Sequence, residues 1–185
     1  MSWHNVQKIH PVRFRCGFCD DQVANDKGYF ASLGDRLRYH IYLCPGCDKP
    51  TFFDESGRQF PGVPFGEKVN SLPAEVDALY LEARNACSVA AFTSAVLACR
   101  KILMNVAVEQ GAPAGLKFIE YVDHLANTGL IPPNSRGWVD HIRKKGNEAT
   151  HEIAMMSKAD ATELMALTEM LLKIVYEFPR RVPTT

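Results

Sequence analysis

From Pro73 to Pro179 the apolar residues recur with the period of an α-helix. Val76, Leu79, Tyr80 and Ala83 stand at i, i+3, i+4 and i+7, and Phe92, Val96, Cys99, Leu103 and Val106 follow at alternating steps of four and three. Pro73 suits the first turn of the first helix, with Glu75 and Asp77 at the positive end of its dipole. Gly111 and Pro113 end the second helix; Phe118, Val122 and Leu125 mark a shorter one, closed by Gly129 and the Pro132-Pro133 pair. A further helix is expected to start near Asn134. The last is expected from a cap at Ser157, with Asp160 three residues on, through Leu164, Leu167, Leu171, Ile174 and Phe178 to a stop at Pro179. About five helices joined by short loops predict a bundle.

Upstream of Pro73 the pattern changes. Tyr29, Phe30, Tyr39, Ile41 and Leu43, and then Thr51, Phe52 and Phe53, place aromatic and β-branched residues at near-alternate positions and predict short strands. Ser56 to Pro73 reads SGRQFPGVPFGEKVNSLP, with three Pro and three Gly in 18 residues, which breaks both periodicities and reads as a linker. The expected organisation is a small β module over 1–56, a linker over 57–72 and a helical domain over 73–185, so the fold class expected is mainly α.

Six cysteines refine the β module. Cys16, Cys19, Cys44 and Cys47 form C-x2-C-x24-C-x2-C, whereas Cys87 and Cys99 fall inside helical sequence and read as packing residues. A Cys-x-x-Cys step turns two thiolates onto one ion, and two such knuckles complete the four-sulfur shell that zinc takes in structural sites. Gly17, and Pro45 with Gly46, suit tight turns whose N–H groups point at sulfur. Two disulfides would need an oxidising compartment, and a redox Cys-x-x-Cys would occur once beside a βαβ pattern. A zinc ribbon fits better. His40, four residues before Cys44, is an alternative ligand that four cysteines make unnecessary. Because such a set leaves no open coordination position, the zinc is expected to be structural.

Composition bounds the rest. Hydrophobic residues make up 46% and charged residues 23%, as in globular proteins. Lys plus Arg equals Asp plus Glu at 21 each, so no global field holds a polyanion and any nucleic-acid contact is local. Near the knuckles, Arg13, Arg15, Arg36 and Arg38 are nearly cancelled by Asp20, Asp21, Asp26 and Asp35. The longest uncharged stretch, between Arg84 and Arg100, is 15 residues with several polar ones, too short and too polar to span a membrane. The first residues lack a signal-peptide pattern, and a cytoplasmic location is expected. Phosphate-loop, nucleophile-elbow and His-Glu-x-x-His patterns are not found in the sequence.

One segment departs from an ordinary amphipathic helix: Trp138 to His151. Arg143, Asn147 and His151 are spaced four apart, so on a continuous helix each is rotated by about 40° from the last and the three share a face. Lys144 and Lys145 add positive charge beside them. Such a strip suits a phosphate, with Arg143 as bidentate donor and His151 as acid or base. Alternatively the helix ends at Gly146, Asn147 caps a new one, and His151 bonds in its first turn.

The segment from Leu72 to about Val182 resembles the prokaryotic domain-of-unknown-function family 4145. The matching features are Leu72-Pro73 with Val76, Tyr80-Leu81-Glu82-Ala83, Cys99-Arg100-Lys101-Ile102-Leu103 followed by Gly111, Gly129-Leu130-Ile131-Pro132, Ile142-Arg143 with Gly146-Asn147 and His151, and Tyr176-Glu177-Phe178-Pro179. The resemblance implies a HEPN-like helical bundle, a class rich in ribonucleases and RNA-binding modules of prokaryotic defence systems that work as homodimers. It implies a metal-independent site of Arg143, Asn147 and His151, with Lys144, Lys145 and Arg100 as nucleic-acid contacts. In this chain Arg143 and His151 are separated by seven residues, and Met104 stands where the family often has Glu. The other role considered is a non-catalytic, dimerising adaptor that docks a protein partner through the zinc ribbon.

Overall fold

A computed structural model describes residues 2–34, 36–132 and 155–182. The chain divides into two compact units, Met1–Pro64 and Phe65–Thr185.

The first unit is a five-stranded antiparallel meander: β1 (Gln7–Arg15), β2 (Gln22–Leu33), β3 (Arg36–Leu43), β4 (Pro50–Phe53) and β5 (Gln59–Phe60), each paired with the next. The β1–β2 and β3–β4 turns fall at the same end of the sheet, as alternate turns of a meander must. β2 changes partner along its length: Gln22 to Gly28 pairs with β1, and Gly28 to Leu33 pairs with β3. Gly28 belongs to both ladders, and a Cβ there would lie 1.9 Å from the Ile41 carbonyl oxygen. Only glycine permits that approach. A small core of Phe14, Tyr42 and Phe53 fills this unit, with Phe14 and Tyr42 each edge-on to Phe53 at 5.5 and 5.6 Å between centroids.

The second unit holds α1 (Ala74–Ser88), α2 (Phe92–Glu109), α3 (Phe118–Asn127) and α4 (Lys158–Leu172). α2 is central and packs on the other three. Its buried residues, Ala95, Val96, Ala98, Cys99, Ile102, Leu103, Val106 and Ala107, meet Val122 and Leu125 of α3 and Leu164, Met165 and Leu171 of α4 in one core. Ser157 caps α4, its hydroxyl accepting the Asp160 N–H while the Asp160 carboxylate accepts the Ser157 N–H. After Leu172 the chain widens into a π-helical turn, Lys173–Glu177, and then tightens into a 3-10 turn at Phe178–Arg181.

The expected mainly α fold, about five helices behind a small ribbon, is overturned. Among the described residues there are four α-helices and a five-stranded sheet, and the sheet is large, with a β2 of 12 residues. The strands were underestimated for physical reasons. β1 contains Pro11, which ordinarily interrupts a strand, but here it falls in an irregularity between Lys8 and Val12 on an edge strand, where Pro is tolerated. The first half of β2, Gln-Val-Ala-Asn-Asp-Lys, is too polar to alternate, and Asn25 satisfies the Leu43 carbonyl with its side-chain amide. The helix expected near Asn134 lies outside the described residues.

The segment expected as a linker is shared between the units. Gln59 and Phe60 form β5, while residues 65–70 lie along the helices. Arg84, only 3% exposed, donates to the carbonyls of Phe65 and Gly66, each at 2.8 Å. Tyr80 donates to the Glu67 carbonyl at 3.0 Å, and the carboxylates of Glu169 and Glu177 accept the N–H groups of Glu67 and Asn70 at 2.9 and 2.8 Å. A backbone with so many side-chain partners is a fixed strap.

Candidate metal centre

The two Cys-x-x-Cys steps are the turns at one end of the meander: Cys16–Cys19 joins β1 to β2 and Cys44–Cys47 joins β3 to β4. The turns repeat each other. The Cys16 N–H bonds the Asp21 carbonyl and the Asp20 N–H bonds the Cys16 carbonyl; the Cys44 N–H bonds the Lys49 carbonyl and the Asp48 N–H bonds the Cys44 carbonyl. Asp20 and Asp48 both take positive φ, 67° and 58°, a conformation Asp tolerates better than most residues. An Asp directly after each Cys-x-x-Cys was therefore a readable sign of two like turns, one that sequence reasoning missed.

Between the turns the four sulfur atoms of Cys16, Cys19, Cys44 and Cys47 all lie within 4.8 Å of one another. Cys16 Sγ is 3.7 Å from Cys47 Sγ, and Cys19 Sγ is 3.6 Å from Cys44 Sγ. A disulfide needs sulfurs at about 2.0 Å, and all six cysteines are free. A tetrahedral ion with sulfur ligands at about 2.3 Å sets its ligands about 3.8 Å apart. The donor set and its spacing fit a metal ion.

The electrostatics agree. Burial opposes ionisation of Cys16, but the N–H groups of Cys19 and Phe18 outweigh it and hold this thiol below its ordinary range. Burial pushes the Cys19 and Cys47 thiols up. Four thiolates are stable together here only around a cation.

The strand after the turns reaches back to the first of them. A Cβ on Gly17 would lie 2.4 Å from the Pro61 carbonyl oxygen and 2.7 Å from that of Gly62, so Gly17 is required by the chain crossing over it. Gln59 fixes that crossing, its amide donating to the carbonyls of Arg15 and Pro61. Lys49 lies 4.9 Å from the Phe18 ring centroid and spans the two turns. His40 stands apart from the sulfurs and stacks beside Tyr42.

The other flagged residues are placed as follows. Arg100 is half-buried on α2, its guanidinium 4.4 Å above the Phe118 ring, with burial lowering its pKa. Met104 packs against the helical core. Cys99 is fully buried and its thiol is pushed up to about 12; Cys87 is half-buried and also raised by burial. Arg143, Lys144, Lys145, Asn147 and His151 lie outside the described residues. A cleft of about 450 Å³ opens between α1 and α2, lined by Glu75, Leu79, Glu82, Lys101 and Asn105, none of which the sequence had singled out as site residues.

Residues 81–185, more than half of the chain, match a protein family described as a domain of unknown function (DUF4145). The chain belongs to DUF4145. Nothing matches it among the curated proteins or among the solved structures. The DUF4145 match begins within α1 and takes in α2, α3 and α4, so the four-cysteine cluster lies outside it. No helix among the described residues is long and apolar enough to cross a membrane.

Proposed function

We propose that this DUF4145 chain is a HEPN-like protein with a zinc ribbon that binds RNA or another nucleic acid in a prokaryotic defence or stress response. The four cysteines hold one zinc ion, and its role is structural, because four protein thiolates complete its tetrahedron and leave no position for substrate. When bound, the ion neutralises the thiolates and staples the two turns. It stands in for the larger hydrophobic core that a unit of this size lacks.

The observation that carries the nucleic-acid reading is the run Arg143-Lys144-Lys145 with Asn147 and His151, a concentrated cationic run inside the family-matched residues of a chain whose charges balance overall. Arg143 binds a phosphate oxygen pair and Lys144 and Lys145 add local field. If the RNA is also cut, His151 moves the proton at the 2′-hydroxyl or the leaving oxygen and Arg143 stabilises the charge on phosphorus, with no metal in the step. A homodimer would bring two such strips together.

The test is an RNA shift and cleavage assay on wild type and Arg143→Ala. A shift that weakens in the variant supports the reading, and no shift at high micromolar protein overturns it.

A further inference from the structure

Helices α1 and α2 pack on each other across a short turn, residues 89–91, and so run antiparallel. The cleft of about 450 Å³ follows the groove between them. Val76, Leu79 and Ile102 give it an apolar lining, with Val76 and Ile102 buried. Four exposed polar residues complete it: Glu75 and Glu82 on α1, Lys101 and Asn105 on α2. Seven residues of helix set the two glutamates about 10 Å apart along α1, and four residues set Lys101 and Asn105 about 6 Å apart on one face of α2. Counted outward from the turn, Asn105 stands level with Glu75, and Lys101 with Leu79, between the two glutamates. None of the four makes a side-chain hydrogen bond or an ion pair among the described residues. Lys101 therefore shares a cleft with two carboxylates and closes on neither.

Opposite charges held apart across an apolar floor leave room for a ligand that carries the complement of both. We propose that this cleft binds a free basic amino acid, lysine or arginine. Its α-carboxylate accepts from the Lys101 ammonium and the Asn105 amide, and its α-ammonium donates to Glu75. The methylene stem lies along Leu79 and Ile102, and the side-chain cation reaches Glu82. The charge pattern selects this occupant. Two anions and one cation in the walls match two cations and one anion in the ligand. A phosphate or a dicarboxylate would meet two glutamates. A diamine would set a like charge against Lys101, and a neutral apolar molecule would strip water from four polar groups and return no hydrogen bond. The site lies in the helical unit and does not depend on the nucleic-acid reading.

The test is a nitrogen-15 NMR titration of the full zinc-loaded chain with L-lysine and L-arginine into the millimolar range, read at the amides of residues 75–82 and 101–105. Both amino acids should shift these signals saturably. Cadaverine, which lacks the carboxylate, and L-norleucine, which lacks the distal cation, should each bind about two- to fivefold more weakly than L-lysine. L-glutamate should leave the signals unmoved. Lys101→Met should remove the advantage of lysine over cadaverine, and Glu82→Gln its advantage over norleucine. Circular dichroism and melting of both variants should be those of wild type, since the two residues are exposed and have no side-chain partner among the described residues.

Weaker lysine binding in each variant, with cadaverine still held by Lys101→Met and norleucine by Glu82→Gln, supports the proposal. No saturable shift with either basic amino acid overturns it, as do equal shifts from L-glutamate or lysine binding that neither variant changes. If a peptide ending in lysine binds more tightly than free lysine, the occupant is a chain end and the proposal is wrong. None of these outcomes bears on the nucleic-acid reading, which Arg143→Ala tests separately.

Discussion

Asp20 and Asp48 occupy the same place in the two cysteine turns, each at positive φ and each donating its N–H to the carbonyl of the first cysteine of its turn. Their side chains differ. Asp20 is held by Arg15 at 2.7 Å, while Asp48 is exposed. Replacing Asp48 with Gly removes the left-handed strain without losing a side-chain partner and should raise stability by up to about 1 kcal/mol. Asp20→Gly relieves the same strain but gives up Arg15, so it should melt below Asp48→Gly. Thermal denaturation of the zinc-loaded protein decides, and the reverse order would show that the Arg15 pair contributes nothing.

Gly17 follows the first cysteine of one turn and Gly46 precedes the second cysteine of the other, and only Gly17 is sterically confined. A Cβ on Gly17 meets the carbonyls of Pro61 and Gly62 at 2.4 and 2.7 Å, whereas on Gly46 its nearest neighbours are Asp21 Oδ2 at 3.4 Å and two sulfurs at 3.7 and 3.8 Å. Gly17→Ala must push a backbone segment aside, which should cost about 1–3 kcal/mol and loosen β5. Gly46→Ala should be tolerated. Urea denaturation of both variants checks this, and equal midpoints would mean that the crossing chain yields freely.

Removal of the metal is expected to act on one unit. Without it the sheet unit must either bring several raised thiols together uncharged or disperse them, and its aromatic core is small. The helical unit has its own extended core. A strong chelator should therefore abolish the strand contribution to circular dichroism and leave the helical one. Acidification should also release the ion as thiolates take up protons. The wild type should hold one zinc per chain, and Cys44→Ser should hold less. Equal metal content in both would sink the zinc assignment.

The helices were legible because their apolar residues sit on one stripe. The period through Val76, Tyr80 and Ala83 and the Ser157–Asp160 box both reappear as buried faces and caps. The paired cysteines were legible for a different reason, since their spacing places two Cys-x-x-Cys turns side by side with all four sulfurs within 4.8 Å of one another. What was not legible depends on partners distant in sequence. The length of β2 follows from its exchange of β1 for β3 at Gly28, and β5 is only two residues long, so no local pattern announces either. The strap at 65–70 has a linker's composition. Its rigidity comes from Arg84, Glu169 and Glu177 on helices up to 107 positions away.

That strap yields a pH test. Glu177 is 3% exposed, and its carboxylate accepts the Asn70 N–H and is paired with Arg181. The Asn70 N–H, with Arg181 and Lys173 behind it and burial working against them, holds its pKa below the ordinary carboxylate value. A carboxyl that ionises more readily folded than unfolded stabilises the fold above its unfolded pKa of about 4.3, and that contribution is lost as pH falls through the lower folded value. Glu177→Gln keeps an oxygen to accept the Asn70 N–H but cannot ionise. The variant should melt below wild type at neutral pH, by a margin that stays level down to about pH 5 and closes as the pH falls further. Melting curves between pH 7 and 3 measure the gap. A gap of constant width throughout would mean that the charge of Glu177 does not hold the strap and that hydrogen bonding alone fixes it.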